Sequence, residues 1–275
     1  MRPSAFGVVL WAAACVALAF LLIPIVAILS ELTLGELRDG LTSDVARDAL
    51  RVTAETNLVA MALILLFGTP TAYLLASRSF RGRTLLVTLV ELPLVLPPAV
   101  AGIGLLAAFG RLGLLGGTLE SLGVDIAFTK VAVILAVTFV ASPFYVRTAI
   151  AAFEAVDPDL VAASRTLGAG PARTFGRVAL PLASGGLGAG AALAFARGLG
   201  EFGATIMFAG SLQGVTQTLS LAVYQEFDVD FDTALAIGAL LVLGSALVLF
   251  AAKVIPSWRR SASTSITVSA PSASR

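Results

Sequence analysis

Of the 275 residues, 58% are hydrophobic and only 13% charged, about half the charged share of an ordinary globular domain. With a mean hydropathy of +0.97, the composition is that of a polytopic membrane protein, and a net charge of +1 leaves no basic footprint for nucleic acid. The absence of histidine excludes histidine-ligated metals and serine–histidine hydrolysis, and the single cysteine, Cys15, excludes a disulfide framework or a cysteine-built metal site.

Hydrocarbon about 30 Å thick needs about 20 apolar residues in a helix. Residues 6–29 satisfy this, and the run exceeds the apolar core of a signal peptide. Residues 31–51 are mixed in charge and read as an external loop containing a helical turn. A second span is expected over 56–76, followed at once by Arg78, Arg81 and Arg83. The third, over 84–109, carries Pro93, Pro97 and Pro98, which break the backbone hydrogen-bond ladder. Lipid tolerates that only where protein or a water-lined cavity satisfies the freed carbonyls, so this helix is expected to be kinked and packed inward. Glu91 within it reads either as an interface carboxylate or as part of a gate. A glycine-rich external loop, 110–130, precedes a fourth span at 131–151. A polar module at 154–181 comes next, then a fifth span at 182–208, an acidic external loop at 211–232 and a sixth span at 234–255. The tail 261–275 reads as disordered.

The basic residues orient this pattern. With both termini in the cytoplasm, twelve lie inside and five outside, and Arg197 lies within the fifth span, as the positive-inside rule requires. The polar module then faces the cytoplasm. Asp157 or Asp159 can cap a short helix there, Pro158 suits its first turn, and Gly168 and Gly170 end it. Pro171 starts the next turn, and Pro181 is expected to redirect the chain into the membrane. A short helix held between two spans suits docking into a groove on another protein. In the fifth span, the Arg197 and Glu201 side chains share a helical face four residues apart. They are either an ion pair that fixes helix register, or a cation presented to an anion in an opened pathway.

The order Ala162-Ala163-Ser164, three residues, Gly168, then Val178 and Leu180-Pro181, resembles the coupling loop of permease subunits in binding-protein-dependent ABC importers. The resemblance extends from the second span to the sixth. It implies the type I importer permease (MetI-like) fold, an all-α polytopic membrane protein of about six helices. It also implies a coupling contact through Asp159, Ala162, Ala163, Ser164, Gly168, Val178, Leu180 and Pro181 to a cytoplasmic ATPase. The family's glutamate falls on Ala162, so a charged contact is missing or is supplied by Glu154, Asp157 or Asp159.

The stretch from Arg197 to Thr205, with Thr216-Gln217-Thr218-Leu219 beyond it and the proline-rich run from Pro93 to Pro98 before it, resembles the oxyanion branch of this family. The similarity favours molybdate or tungstate over sulfate and marks Arg197, Gly200, Glu201, Phe202, Gly203 and Thr205 as pathway or gate candidates. The implied partners are a second copy of the chain, two ABC ATPases, an extracytoplasmic oxyanion-binding protein and bacterial inner-membrane lipid. No phosphate-binding GxxxxGK[ST] sequence is present, so no cofactor is expected on this chain, and ATP-Mg belongs to the partner. Rival readings are an ion-driven secondary transporter, which needs buried titratable groups and usually an internal repeat, and a membrane-embedded enzyme, for which the sequence shows no nucleophile–base set.

Overall fold

The computed structural model describes residues 5–263, and among these every regular element is a helix. Arg2, Arg275 and positions 264–275 of the expected tail lie outside the described residues, as do the side chains of Lys253, Arg259 and Arg260. The last described helix continues through residues 261–263, at the start of that expected tail. Among the described residues, five helices are long and apolar enough to cross a membrane, and a sixth crossing is present if a bent helix pair counts as one. The fold divides into two compact units.

The first unit comprises the chain up to Ala54 together with Ser211–Gly244. Its α1, Ala5–Ser30, is apolar on every side and exposes Phe6, Trp11 and Phe20, as a helix solvated by lipid does. Thr33 and Glu36 form a reciprocal capping box that opens α2, Leu34–Thr42, so the expected helical turn of the 31–51 loop is a capped helix. The two hydrogen bonds from Thr33 hold the Glu36 carboxyl below its ordinary range. The next helix, α3, runs Asp44–Ser77 and so begins well before the apolar run. Ala46 and Ala49 on α3 pack with Leu219, Ala222 and Ile237. The hydroxyl of Thr53 accepts the Leu219 amide at 2.8 Å, satisfying one of the orphan donors at the start of a short helix, Leu219–Glu226.

The second unit comprises Glu55–Gly210 and the chain from Ser245. Arg83–Val95 forms α4, and α5, Pro98–Phe109, follows at an angle of 113°. A single kinked span was the sequence expectation, and the chain breaks instead. Consecutive Pro97 and Pro98 remove two amide donors, disfavour helical backbone in the residues before them, and leave Pro98 to start a new helix. A short α6, Gly116–Ser121, sits in the glycine-rich loop, and α7, Lys130–Glu154, is the most buried of the spanning helices. Its Tyr145, 1% exposed, bonds Thr69 of α3 at 2.6 Å, Lys130 at its start pairs with Glu55 of α3 at 2.7 Å, and Glu154 at its end pairs with Arg83 at the start of α4 at 2.5 Å. Glu55 meets Lys130 and, further along both helices, Thr69 meets Tyr145, so α3 and α7 run parallel.

After α7 come α8, Pro158–Thr166, and α9, Pro171–Thr174. A π-helical turn, Phe175–Ala179, then leads into α10, Leu180–Leu199. Pro181 does not redirect the chain as expected. The wide turn before it carries the Leu180 amide to the Phe175 carbonyl, and the helix continues as one apolar segment, Pro171–Leu199. Antiparallel to α7, α10 meets it through small residues. A Cβ on Gly186 would strike Ala152, and one on Gly190 would strike Thr148. Gly185, Gly188 and Gly200 face open space. The fifth apolar run, expected unbroken to 208, is interrupted at Gly200, and α11, Gly203–Ala209, is a separate helix. A twelfth helix, α12, is the Leu219–Glu226 segment of the first unit, and α13 is Phe231–Ser263. In the first unit the Asp230 carboxylate accepts from the Thr233 amide and hydroxyl at the start of α13, and these bonds hold it below its ordinary range.

Candidate functional site

Two constellations in the second unit carry the residues singled out by sequence. One is the junction of helix breaks. The Arg197 guanidinium, at the last turn of α10, lies 2.6 Å from Glu201 Oε2, and the Glu201 side chain is 1% exposed against 25% for Arg197. The other carboxylate oxygen, Oε1, accepts the Ala204 amide at 2.7 Å. Glu201 thus serves the end of one helix and the start of the next, which suits a carboxylate at a helix N-terminus. Beside it, Gly203 lies so near the start of α5 that a Cβ there would fall 2.8 Å from Pro98 Cβ. One on Gly102 would fall 2.5 Å from the Ala204 carbonyl oxygen. The Pro97-Pro98 break and the Gly200–Gly203 break therefore lie side by side. Ala101, Leu105, Ala204 and Phe208 close the contact into the core that α7 shares. Thr205 is fully buried here, and its hydroxyl has no hydrogen-bond partner among the described residues. Phe202 is half-buried at the N-cap of α11.

Sequence reasoning missed Asn57. It is 1% exposed on α3, its Oδ1 lacks a hydrogen-bond partner among the described residues, and it occupies the space a side chain at Gly198 would need. The signal was available, since an amide inside an apolar span is costly and invites a reason. Glu91, whose role sequence left open, lies 3.4 Å from Arg147 of α7.

The other constellation is the α8 hinge. Asp157 caps α8 by accepting the Asp159 amide, and Pro158 occupies the first turn. The helix ends at Leu167 in a Schellman motif. Gly168 takes φ +83°, its amide bonds the Arg165 carbonyl, and the Ala169 amide bonds that of Ser164 at 3.1 Å. Ser164 also meets the buried hydroxyl of Thr174 at 3.1 Å, fastening α8 to α9. Below lies an aromatic triad, with Tyr73 5.2 Å from Phe153 and 4.7 Å from Phe175 between ring centres. Each such pair contributes about 1 kcal/mol beyond its buried area. The Ser164–Thr174 contact thus joins α8 to α9, and the triad joins the ends of α3 and α7 to the π-helical turn before α10. Val178 lies in the π turn, half-buried, with Leu180 and Pro181 at the start of α10. Of the three acids that could replace the family's glutamate, Glu154 is paired with Arg83 and Asp157 is the cap, whereas Asp159 is exposed on the first turn. Ala162 and Ala163 are exposed on α8.

Comparison with known proteins agrees with this architecture. Residues 64–260 match the family described as binding-protein-dependent transport system inner membrane component. The molybdenum transport system permease protein ModB of Mycobacterium tuberculosis is 44% identical over 231 residues, covering 84% of this chain and 88% of that protein. The sulfate transport system permease protein CysT of Salmonella typhimurium is 36% identical over 243 residues, covering 86% of this chain and 87% of that protein. Among solved structures, a chain of a bacterial alginate ABC transporter in complex with an alginate-pentasaccharide-bound periplasmic protein superposes with a TM-score of 0.67. It is 17% identical and covers 89% of this chain and 91% of that one. With the broken third span, the interrupted fifth and the capped helix between the fourth and fifth all in place, the chain belongs to the inner-membrane components of binding-protein-dependent transport systems.

Proposed function

We propose that this chain is the membrane-spanning subunit of an ABC importer that takes up an oxyanion, molybdate or tungstate, using ATP hydrolysed with Mg on a separate cytoplasmic subunit. The observation that carries the substrate class is the 44% identity to ModB over most of both chains, against 36% for CysT. Sulfate is the second reading. The subunit is non-catalytic, sits in the bacterial inner membrane with both termini in the cytoplasm, and pairs with a second copy, since six spans form half a pathway. An extracytoplasmic binding protein delivers the anion.

In this mechanism α8 is the coupling helix. ATP draws two ATPase subunits together, and each moves the α8 it holds. Through Ser164–Thr174 and the Tyr73–Phe153–Phe175 cluster the displacement reaches the root of α10. At its far end the movement reaches the Gly200–Gly203 break, where α11 leans on α5. Parting these two short helices would free the Thr205 hydroxyl and expose the half-open Arg197 to the passing anion. The chain's contribution is a gate biased by a partner that binds one arrangement more tightly than the other.

The test is ATP hydrolysis by the reconstituted transporter in the presence of its binding protein. Molybdate-loaded binding protein should raise the rate several-fold over the empty protein, with sulfate leaving it at baseline. Stimulation by sulfate and not molybdate would select the second reading, and stimulation by neither would remove the oxyanion assignment.

A further inference from the structure

An open cavity of about 400 Å³ lies between α8 and the ends of α3 and α7. Tyr73 and Phe153 wall it, and Val161, Ala162 and Arg165 form its α8 edge. These three share one face of the helix. The opposite face exposes Leu160 and Leu167, the latter 88% exposed. Arg165 is exposed at the mouth and makes no ion pair among the described residues, and the nearby carboxylate of Glu154 is engaged by Arg83.

A glutamate at position 162, where the resembling family carries one, would stand three residues before Arg165 on the same face. That spacing lets the two side chains pair across the opening. With alanine there, the mouth stays uncovered and the guanidinium keeps its charge for another group. The lining is mixed, but the Tyr73 and Phe153 rings with Val156 and Val161 favour an apolar group between them, and an arginine at the rim without an ion pair among the described residues favours an acid beside it.

We propose that this cavity is a socket for one large apolar side chain of the ATPase partner, accompanied on the partner by a carboxylate that pairs with Arg165. The inference rests on the reading that α8 docks on an ATPase. It adds that the partner holds α8 on both faces, the leucine face and the socket face.

Thiol footprinting separates the socket from docking as such. Cys15 is the only native cysteine, so single-cysteine variants Ala162→Cys and Leu160→Cys can be made on a Cys15→Ser background and treated with a maleimide, with and without the transporter's own ATPase. Both thiols should label at least tenfold more slowly in the complex. Protection at Leu160→Cys with undiminished labelling at Ala162→Cys would overturn the socket and leave docking intact. Loss of protection at both would remove docking and socket together. In a second measurement Ala162→Phe, which fills the mouth from the chain's own side, should weaken ATPase binding at least tenfold while thermal melting of the subunit is unchanged. Unchanged affinity would overturn the proposal.

Discussion

At Glu201 a single carboxylate meets two demands: Oε2 neutralises Arg197 and Oε1 accepts the Ala204 amide. Arg197→Ala leaves that carboxylate buried without its counter-charge, and breaking such a pair costs about 3 kcal/mol. The variant should melt well below the parent in detergent. Exchanging the pair, Arg197→Glu with Glu201→Arg, keeps the charges but places a donor where an acceptor is needed, so stability should stay low. Arg197→Ala with Glu201→Gln retains an acceptor for Ala204 without a buried charge and should recover most of the loss. Full recovery by the exchanged pair would show that the cap is immaterial. Gly198 is governed by close approach. Gly198→Ala drives a Cβ into Asn57 Oδ1 and Val137, and overpacking of this kind costs about 1–3 kcal/mol. Part of that loss should return with Asn57→Ala, as coupling between touching residues requires.

Charge also fixes a pH dependence at this scale. The Glu36 and Asp230 carboxyls, ordinarily at 4.5 and 3.8, are lowered by the hydrogen bonds of their caps. Their contribution is complete above those ordinary values and is lost as pH falls through the lower folded ones. Amide exchange at Thr33 and Thr233, corrected for intrinsic rates, should show constant protection down to about pH 4.5 and about pH 3.8 respectively and then decline. A decline beginning near neutrality would contradict the cap assignments.

Among the elements, α8 shows how much a short segment discloses when its punctuation is local. Asp157, Pro158 and Gly168 each act within a few residues, so cap, first turn and stop were legible in the sequence. At Gly168 the added Cβ would meet nothing within 4 Å, so the requirement is the left-handed backbone alone, about 1–2 kcal/mol for an ordinary residue. Asparagine and aspartate tolerate that conformation best. Gly168→Asp should therefore insert and fold near normally yet lose transport, and Gly168→Asn should retain more of it, because the charge is the damaging part. Normal uptake with Gly168→Asp would remove the hinge from the coupling path. The spanning elements were less legible. Hydropathy located the apolar runs at 84–109 and 182–208 but cannot register that Pro97-Pro98 turns the chain by 113° or that Glu201 starts a new helix at Gly203. The side-by-side placement of those breaks depends on contacts between residues about 100 positions apart, Gly102 with Ala204 and Pro98 with Gly203, and no local pattern encodes it. Pro181 misled for the opposite reason, since a preceding π turn absorbs it and the helix continues.

At the largest scale, the second unit combines small-residue contacts between α7 and α10 with two adjoining helix breaks, and a short capped helix is fastened near the opposite end of α10. In the proposed mechanism a push at α8 becomes a parting of α11 from α5, and neighbouring subunits supply force and cargo. The most direct test of that dependence is uptake of labelled molybdate into sealed vesicles holding the chain, its ATPase and its binding protein. Accumulation is expected only with ATP on the ATPase side and binding protein on the other, and omission of any one component should abolish it. Accumulation driven by a proton or sodium gradient through the chain alone would contradict the account.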